Sequence, residues 1–340
     1  MSLWVCLFAV GAFTVSVMLT LILRRAVLTT GLIDVPNERS SHSVPTPRGG
    51  GLAIVISSVT AIAVLAALGA IRVPLLLALC GGGVAVAAIG FLDDRGSLSP
   101  GKRLLVHFCA AAWAVACVGP LSELRIGMEV IHLGIAGYAI SVIGIVWFLN
   151  IFNFMDGIDG IAASEAIFMC GAAVLLSTQS GTGDIAAAAA AIGAASLGFL
   201  VWNWPPAKIF MGDVGSGYLG FAIGVLALAD DARNPVGLWI WIILAGVFVV
   251  DSSTTMIRRM SRGERITVAH RMHAYQHLAR RAGHAAVTAS AAAINVVWLL
   301  PCAFLGSLRP VYAFWLAILA LCPLVVGALA AGAGRPEMAK

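Results

Sequence analysis

Asn150-Ile-Phe-Asn-Phe-Met-Asp-Gly-Ile-Asp-Gly160 joins two long apolar runs, residues 133–152 before it and 161–178 after it. About 20 apolar residues cross a bilayer, so the first run alone is long enough. Asn153, Asp156 and Asp159 recur every third residue, which puts them on one face if the backbone is helical. Ionisable groups at the mouths of membrane segments are costly and mark functional sites by default. Gly157 and Gly160 leave room for a backbone or a phosphate to approach closely. A single Asp is explained as a helix N-cap; two, with Asn153, are more than capping requires.

The rest of the chain is of the same kind. Of 340 residues, 60% are apolar and 11% charged, against roughly 25% charged in soluble domains. The reading is an all-α, polytopic integral membrane helical bundle, residues 1–340 forming one transmembrane domain. About eleven spans, each of about 17–22 residues, fall near 3–23, 51–71, 73–92, 104–120, 133–152, 160–178, 185–203, 215–229, 236–256, 285–306 and 311–331. The seven cysteines all lie inside apolar runs without zinc-like spacing and read as small packing residues. Residues 1–6 carry no positive charge and Arg24-Arg25 follow the first run, which predicts a retained first helix.

Lys and Arg set the orientation. With the N-terminus outside and the C-terminus cytoplasmic, 17 of the 21 fall on the inner side. Only Arg72, Arg125, Arg233 and Arg309 fall outside. The net charge of +5 follows from this asymmetry and does not imply nucleic acid. The polar breaks at 24–50, 93–103, 153–160, 204–216 and 257–284 all become inner loops, while the outer breaks read as plain turns. One cytoplasmic face therefore carries the chemistry.

Asp93-Asp94 end the third span, and adjacent carboxylates need a proton, a cation or a metal; an acidic interfacial turn is the bland reading. Met211 to Gly217 is a Gly-rich loop before a helix, the kind that turns backbone N–H groups toward an anion. Lys208 suits phosphate as a point charge. The bland reading of the loop is a flexible re-entrant turn. Five carboxylates from three loops point to Mg²⁺, a hard ion that takes oxygen ligands and substrate phosphates. Together these features suggest phosphoryl transfer at a membrane surface. His270 and His273 stand three residues apart in the basic loop, facing phosphate or anionic lipid. Glu165, two turns into the sixth span, pairs with a basic group or supports the Asp156/Asp159 pair. Asp251 and Arg258 read as a structural ion pair.

Asp34-Val-Pro-Asn-Glu-Arg-Ser-Ser-His42 with Pro45-Thr-Pro-Arg-Gly-Gly50, then Asp93-Asp94, Asn153-Phe-Met-Asp-Gly-Ile-Asp-Gly160 and Lys208-Ile-Phe-Met-Gly-Asp-Val-Gly-Ser216 together resemble the polyprenyl-phosphate N-acetylhexosamine-1-phosphate transferases of glycosyltransferase family 4. The segments keep the family's order over residues ~30 to ~275. The resemblance implies that a membrane polyprenyl phosphate, undecaprenyl phosphate in bacteria, attacks the sugar-side phosphorus of a UDP-N-acetylhexosamine, releasing UMP. It implies Asp213 and Asp156 at Mg²⁺ and Asp93, Asp94, Asp156, Asp159, His270 and His273 in catalysis. Asn153, Lys102, Lys208, Arg48, His42, Ser216 and Arg271 would bind substrate. His270-Arg-Met-His273 is followed by Ala274 where relatives often have a further histidine. This is similar to the subgroup that starts O-antigen and other surface polysaccharides at the bacterial inner membrane, facing the cytoplasm. Partners implied are the lipid acceptor, the nucleotide-sugar donor, the bilayer and a second copy of the chain in a homodimer.

Two other readings differ in where charge falls. A secondary transporter places ionisable groups at mid-membrane on broken helices, often in inverted repeats; here they gather at inner ends, Glu165 excepted. A CDP-alcohol phosphotransferase wants an Arg soon after its Asp-Gly, where this chain has Ala162 and Ala163.

Overall fold

The computed structural model describes residues 3–30, 33–34, 45–96, 98–180, 182–234, 237–264 and 270–336. His42, expected at the substrate, lies outside them. All eleven apolar runs are helical. The helices are α1 (Leu3–Thr30), α2 (Gly51–Ala67), α3 (Val73–Leu76), α4 (Gly83–Arg95), α5 (Pro100–Val118), α6 (Ala136–Met155), α7 (Ile161–Ser180), α8 (Gly183–Asn203), α9 (Asp213–Asp231), α10 (Gly237–Leu244), α11 (Gly246–Ser261), α12 (Ala274–Ala282), α13 (His284–Ile294), α14 (Leu300–Leu308) and α15 (Ala313–Ala331). Short π-helical turns, Leu77–Gly82 and Asn295–Leu299, join α3 to α4 and α13 to α14 into two long rods.

The protein is a polytopic membrane protein. Among the described residues, eight helices are long and apolar enough to cross a membrane, or nine when α10 and α11, bent by 78° at Ala245, count as one span. The sequence expectation of about eleven differs because Gly51–Ala67 and Ile161–Ser177 are apolar but shorter. The bend was not legible in the pattern. At Gly246 an added Cβ would lie 2.9 Å from Leu321 Cδ2, so the chain turns where α15 approaches its backbone. The outer break before α6 is not a plain turn either: β3 (Glu123–Ile126) and β4 (Glu129–His132) form an antiparallel hairpin. A second small pair, β1 (Ile33–Asp34) with β2 (Thr46–Pro47), stands near the site.

α9 is the axis of the bundle, with every residue from Val214 to Ile223 buried. The helices around it can approach because glycines stand at the crossings, as in membrane bundles generally. An added Cβ on Gly51 would sit 2.4 Å from Gly215 Cα, and one on Gly90 2.5 Å from the Asp213 carbonyl oxygen. The periphery is apolar: Trp4, Val10, Trp113, Ile135, Val297 and Val326 stand exposed, the outward face a bilayer covers.

This packing yields a test. Gly51→Ala forces two backbones apart and is expected to destabilise by about 1–3 kcal/mol. Gly11→Ala, with nothing within 4 Å of its added methyl, is expected to be neutral or slightly stabilising. Thermal unfolding of both variants in one detergent measures the difference; equal midpoints would refute the close α2–α9 crossing.

Candidate active site

Five segments far apart in sequence meet at one end of the bundle. The strand-like segment before α2 lies against the one before α9: Phe210 N–H donates to the Pro47 carbonyl at 2.8 Å. Gly50 and Gly51 N–H groups donate to the Phe210 and Met211 carbonyls, each at 2.9 Å. This brings Arg48 over the start of α9. Its Nε is 2.9 Å from Asp94 Oδ1 and its Nη2 2.7 Å from Asp213 Oδ1. Arg103, from α5, bridges Asp93 Oδ2 at 2.6 Å and Asp213 Oδ2 at 3.0 Å. Burial works against the Arg48 charge, but Asp94, Asp213, Asp34 and Asp156 outweigh it and raise its pKa.

Asp94 has a second task. Its two oxygens accept the N–H groups of Asp213 at 3.0 Å and Val214 at 3.1 Å, which caps α9 from another helix. Gly215 and Ser216 N–H groups donate to the Gly212 carbonyl. The first four amides of α9 are thus all engaged, and the expectation of an anion-cradling loop at Met211 to Gly217 is corrected. Gly212 is needed for a different reason. Its φ of +76° suits glycine, and a Cβ there would lie 2.5 Å from Asp94 Oδ2.

The stretch from Asn153 to Gly160 does not stay helical. α6 ends at Met155 and the chain turns before α7, so the three polar side chains do not share one helix face. The turn is clamped from outside. Tyr275 Oη–H donates to the Phe154 carbonyl at 2.9 Å, and a Cβ on Gly157 would meet Tyr275 Oη at 2.1 Å. Gly160 N–H donates to Asn203 Oδ1 at 3.0 Å. Asp159 Oδ2 accepts from Ala207 N–H at 3.0 Å, and its Oδ1 lies 3.2 Å from His284 Nδ1. Asn153 Nδ2 donates to Ser216 Oγ at 3.1 Å.

A cavity of ≈ 230 Å³ opens among these groups. Its lining includes Arg48, Asn153, Asp156, Asp159, Asp213 and Ser216 from the expected set, together with Asp34, Asn203, Gln276 and His284. Asp93 and Asp94 stand behind it, joined to Asp213 through the two arginines. Lys102 is exposed on α5. Lys208 is exposed too, its Nζ 5.4 Å from the centre of the Trp202 ring, and neither lysine lines the cavity. Arg271 does not line it either.

His273 is the N-cap residue of α12 and is buried, with Nδ1 3.3 Å from Asp251 Oδ1. Asp251 also accepts the N–H groups of Ala274 and Tyr275, at 2.9 and 2.8 Å. It therefore caps α12 rather than pairing with Arg258, which donates to the Ala333 carbonyl. His270 stacks on His273 at 5.0 Å. Burial, then His273 and Arg259, lower its pKa to about 4, which leaves it neutral at pH 7. His273 caps α12, whose Tyr275 reaches the Asp156 turn; His270 stacks behind it, and neither histidine lines the cavity.

Asp156 is the group left over. Among the described residues its carboxylate has no hydrogen bond or ion pair of its own, yet it faces the cavity. Burial, chiefly, pushes its pKa well above the usual carboxylate range; Arg48 pulls it down, and Asp213, Asp94 and Asp159 push it further up. The site asks for a cation there. Among the described residues no three His, Cys, Asp or Glu side chains converge to hold one unaided. A hard ion bound by one or two carboxylates and completed by phosphate and water fits this donor set.

The fold and site define a class first: a polytopic membrane protein with an acidic, arginine-braced cavity at one end of the bundle. The family model of glycosyl transferase family 4 matches residues 76–230. The chain is 31% identical over 277 residues to a probable undecaprenyl-phosphate N-acetylglucosaminyl 1-phosphate transferase of Bacillus subtilis, covering 79% of this chain and 76% of that one. It is 29% identical over 250 residues to the phospho-N-acetylmuramoyl-pentapeptide-transferase of a Caulobacter species (63% and 65% covered). It is 33% identical over 224 residues to the decaprenyl-phosphate N-acetylglucosaminephosphotransferase of Mycolicibacterium smegmatis (61% and 54% covered). The chain belongs to glycosyl transferase family 4.

The His270 environment makes a pH prediction. An unfolded histidine titrates near 6.5, while the folded group stays neutral down to about 4. This contribution to stability is present above pH 6.5 and is lost as pH falls from there through 4. In His270→Gln, whatever the shift at neutral pH, the fall in unfolding midpoint across that window is expected to be shallower. An unchanged slope would show that His270 is not held neutral.

Proposed function

We propose that the protein transfers an N-acetylhexosamine-1-phosphate from a UDP-sugar to a polyprenyl phosphate, leaving a polyprenyl-diphosphate-sugar in the membrane and releasing UMP. The observation that carries this reading is the meeting of Arg48, the Asn153–Asp159 turn and the start of α9 in one cavity of a chain of this family. The relatives' names supply the substrate classes. The 17-to-4 partition of Lys and Arg supports a cytoplasmic cavity. The departure at Ala274 supports a role at the first membrane step of O-antigen or other surface-polysaccharide synthesis over the peptidoglycan reaction.

Membership of the family implies a metal-dependent transferase in general, and the oxygen-only donor set suits Mg²⁺. Asp156 and Asp213 would hold it, and when bound it supplies positive charge to the diphosphate. The rest is done by the chain. Arg48 and Arg103 hold Asp213 between two guanidiniums, and the same planar forks match phosphate oxygens. On donor binding Arg48 turns from Asp213 toward the diphosphate, which frees a carboxylate oxygen facing Asp156. Asn153, anchored on Ser216, keeps its carbonyl oxygen for the substrate side. The acceptor phosphate needs little help to ionise, since a phosphate monoester loses its second proton near pH 6. Positioning therefore matters more than a strong base, and Asp93 and Asp94 act by holding the arginines and α9.

Purified protein with Mg²⁺, undecaprenyl phosphate and a panel of UDP-N-acetylhexosamines is expected to release UMP, and chelation to stop it. Asp213→Asn is expected to lower turnover by a factor on the order of 10²–10³, the usual cost of removing one preorganised electrostatic group. Near-normal turnover in Asp213→Asn would rule out the metal assignment. No UMP from any donor in the panel would rule out the reaction.

A further inference from the structure

Glu165 and Asn295 lie outside the cavity and outside the reaction proposed above. Both are deeply buried, 2% and 1% exposed. Glu165 is on α7, which leaves the site from the Asp156 turn. Asn295 opens the π-helical turn that follows α13. α7 and α13 begin together at the site: Thr288 Oγ1 donates to the Asp159 carbonyl at 2.9 Å, and His284 Nδ1 lies 3.2 Å from Asp159 Oδ1. About two turns further on, Asn295 Nδ2 donates to Glu165 Oε2 at 2.5 Å.

The remaining atoms of this pair decide its state. Glu165 Oε1 and Asn295 Oδ1 are both buried, and neither has a hydrogen-bond partner among the described residues. No basic side chain pairs with Glu165 among them, so the first of the two sequence alternatives does not apply. An ionised Glu165 offers only acceptors, so both oxygens stay orphaned and a bare charge sits in the apolar interior, which is prohibitively costly. A neutral Glu165 carries one O–H donor. That donor is what Asn295 Oδ1 lacks, and using it also satisfies the orphaned carboxyl oxygen. The two orphan atoms are complementary under protonation and under no other change confined to the pair.

We propose that Glu165 is a neutral carboxylic acid joined to Asn295 by a two-point acid–amide contact, and that this clamp sets α13 beside α7 so that His284 and Thr288 meet Asp159. Both are positioning residues, acting through the Asp156–Gly160 turn. Around the ring of contacts Glu165 Oε1–H donates to Asn295 Oδ1, and Asn295 Nδ2–H donates to Glu165 Oε2. The clamp thereby offers the membrane interior a polar group with no net charge, while remaining specific about register.

The test needs no substrate, so its outcome is separable from that of the transferase reading. In infrared difference spectra of parent against Glu165→Gln, in lipid nanodiscs, a protonated-carboxyl C=O band is expected in the parent from mildly acidic to mildly alkaline pH. It should be absent from the variant. Carboxylate bands at neutral pH instead would overturn the neutral acid. Glu165→Gln keeps a two-point contact, amide to amide, and is expected to keep the parent's unfolding midpoint and the parent's hydrogen exchange at residues 156–160. Glu165→Leu and Asn295→Leu are expected to speed exchange there by about tenfold, the size of one lost buried hydrogen bond. Unchanged exchange in both leucine variants would overturn the link to the site. Should the leucine variants fail to fold, Glu165→Gln still decides: a loss in that variant as large as theirs would show that charge, not the two-point contact, matters.

Discussion

Asp94 accepts the first two amides of α9 and the Arg48 guanidinium at once, and the charged end of the bundle is assembled on that carboxylate. The amides fix where α9 begins; the guanidinium fixes where residues 46–50 cross it. Arg48 then reaches Asp213, and Arg103 reaches Asp213 and Asp93 from the other side. Each carboxylate has a cation and each cation has two carboxylates. Both arginines are about a third exposed, so solvent screens the set, and removing one member costs less than the loss of a fully buried pair. That coupling is why four helix ends can sit together among apolar residues without drifting apart.

Around this lattice the second half of the site is neutral scaffolding. Asp251 caps α12, α12 presents Tyr275, and the Tyr275 hydroxyl, lying against Gly157, holds the carbonyl of Phe154. Asn203 and Ala207 fasten the far side of the same turn. Asp156 is thereby held at the centre of a turn fastened at Phe154, Asp159 and Gly160. Among the described residues its carboxylate has no partner of its own, which is why the proposed reaction gives it the cation.

Much of this was legible in the residues. The apolar runs gave every helix but α12, which lies in the polar break at 257–284, and the acidic and basic breaks assigned to one side include the segments that meet at the cavity. What the chain order could not supply was the allocation of roles. Lys102 and Lys208 were the expected phosphate partners, yet neither lines the cavity, and Arg103, one residue beyond Lys102, reaches Asp93 and Asp213 through a single Nη1. His270 and His273 carried the right chemistry for a phosphate, but His273 is buried against Asp251 at a helix cap and His270 stacks on it. His284 opens α13 directly after a glycine and offered no pattern. Glu165 was visible as an anomaly, but its partner was an amide far away in sequence, which no charge rule selects.

The glycine-rich stretch before α9 shows how one pattern supports two structures. A phosphate cradle and a tight helix crossing both need residues without Cβ. They differ in how far the glycines continue. A cradle ends where the helix starts; here Gly212, Gly215, Gly217, Gly220 and Gly224 run on for more than two turns, and Gly215 and Gly220 meet the backbones of α2 and α6. The stripe exists because α9 is enclosed on all sides. A helix enclosed in that way can present only its first turn to the cavity. That turn delivers Asp213 and Ser216, with the amides already bound to Asp94 and Gly212. In the reaction proposed above, recognition of phosphate would therefore fall to the guanidiniums, with α9 supplying the Asp213 carboxylate they now hold.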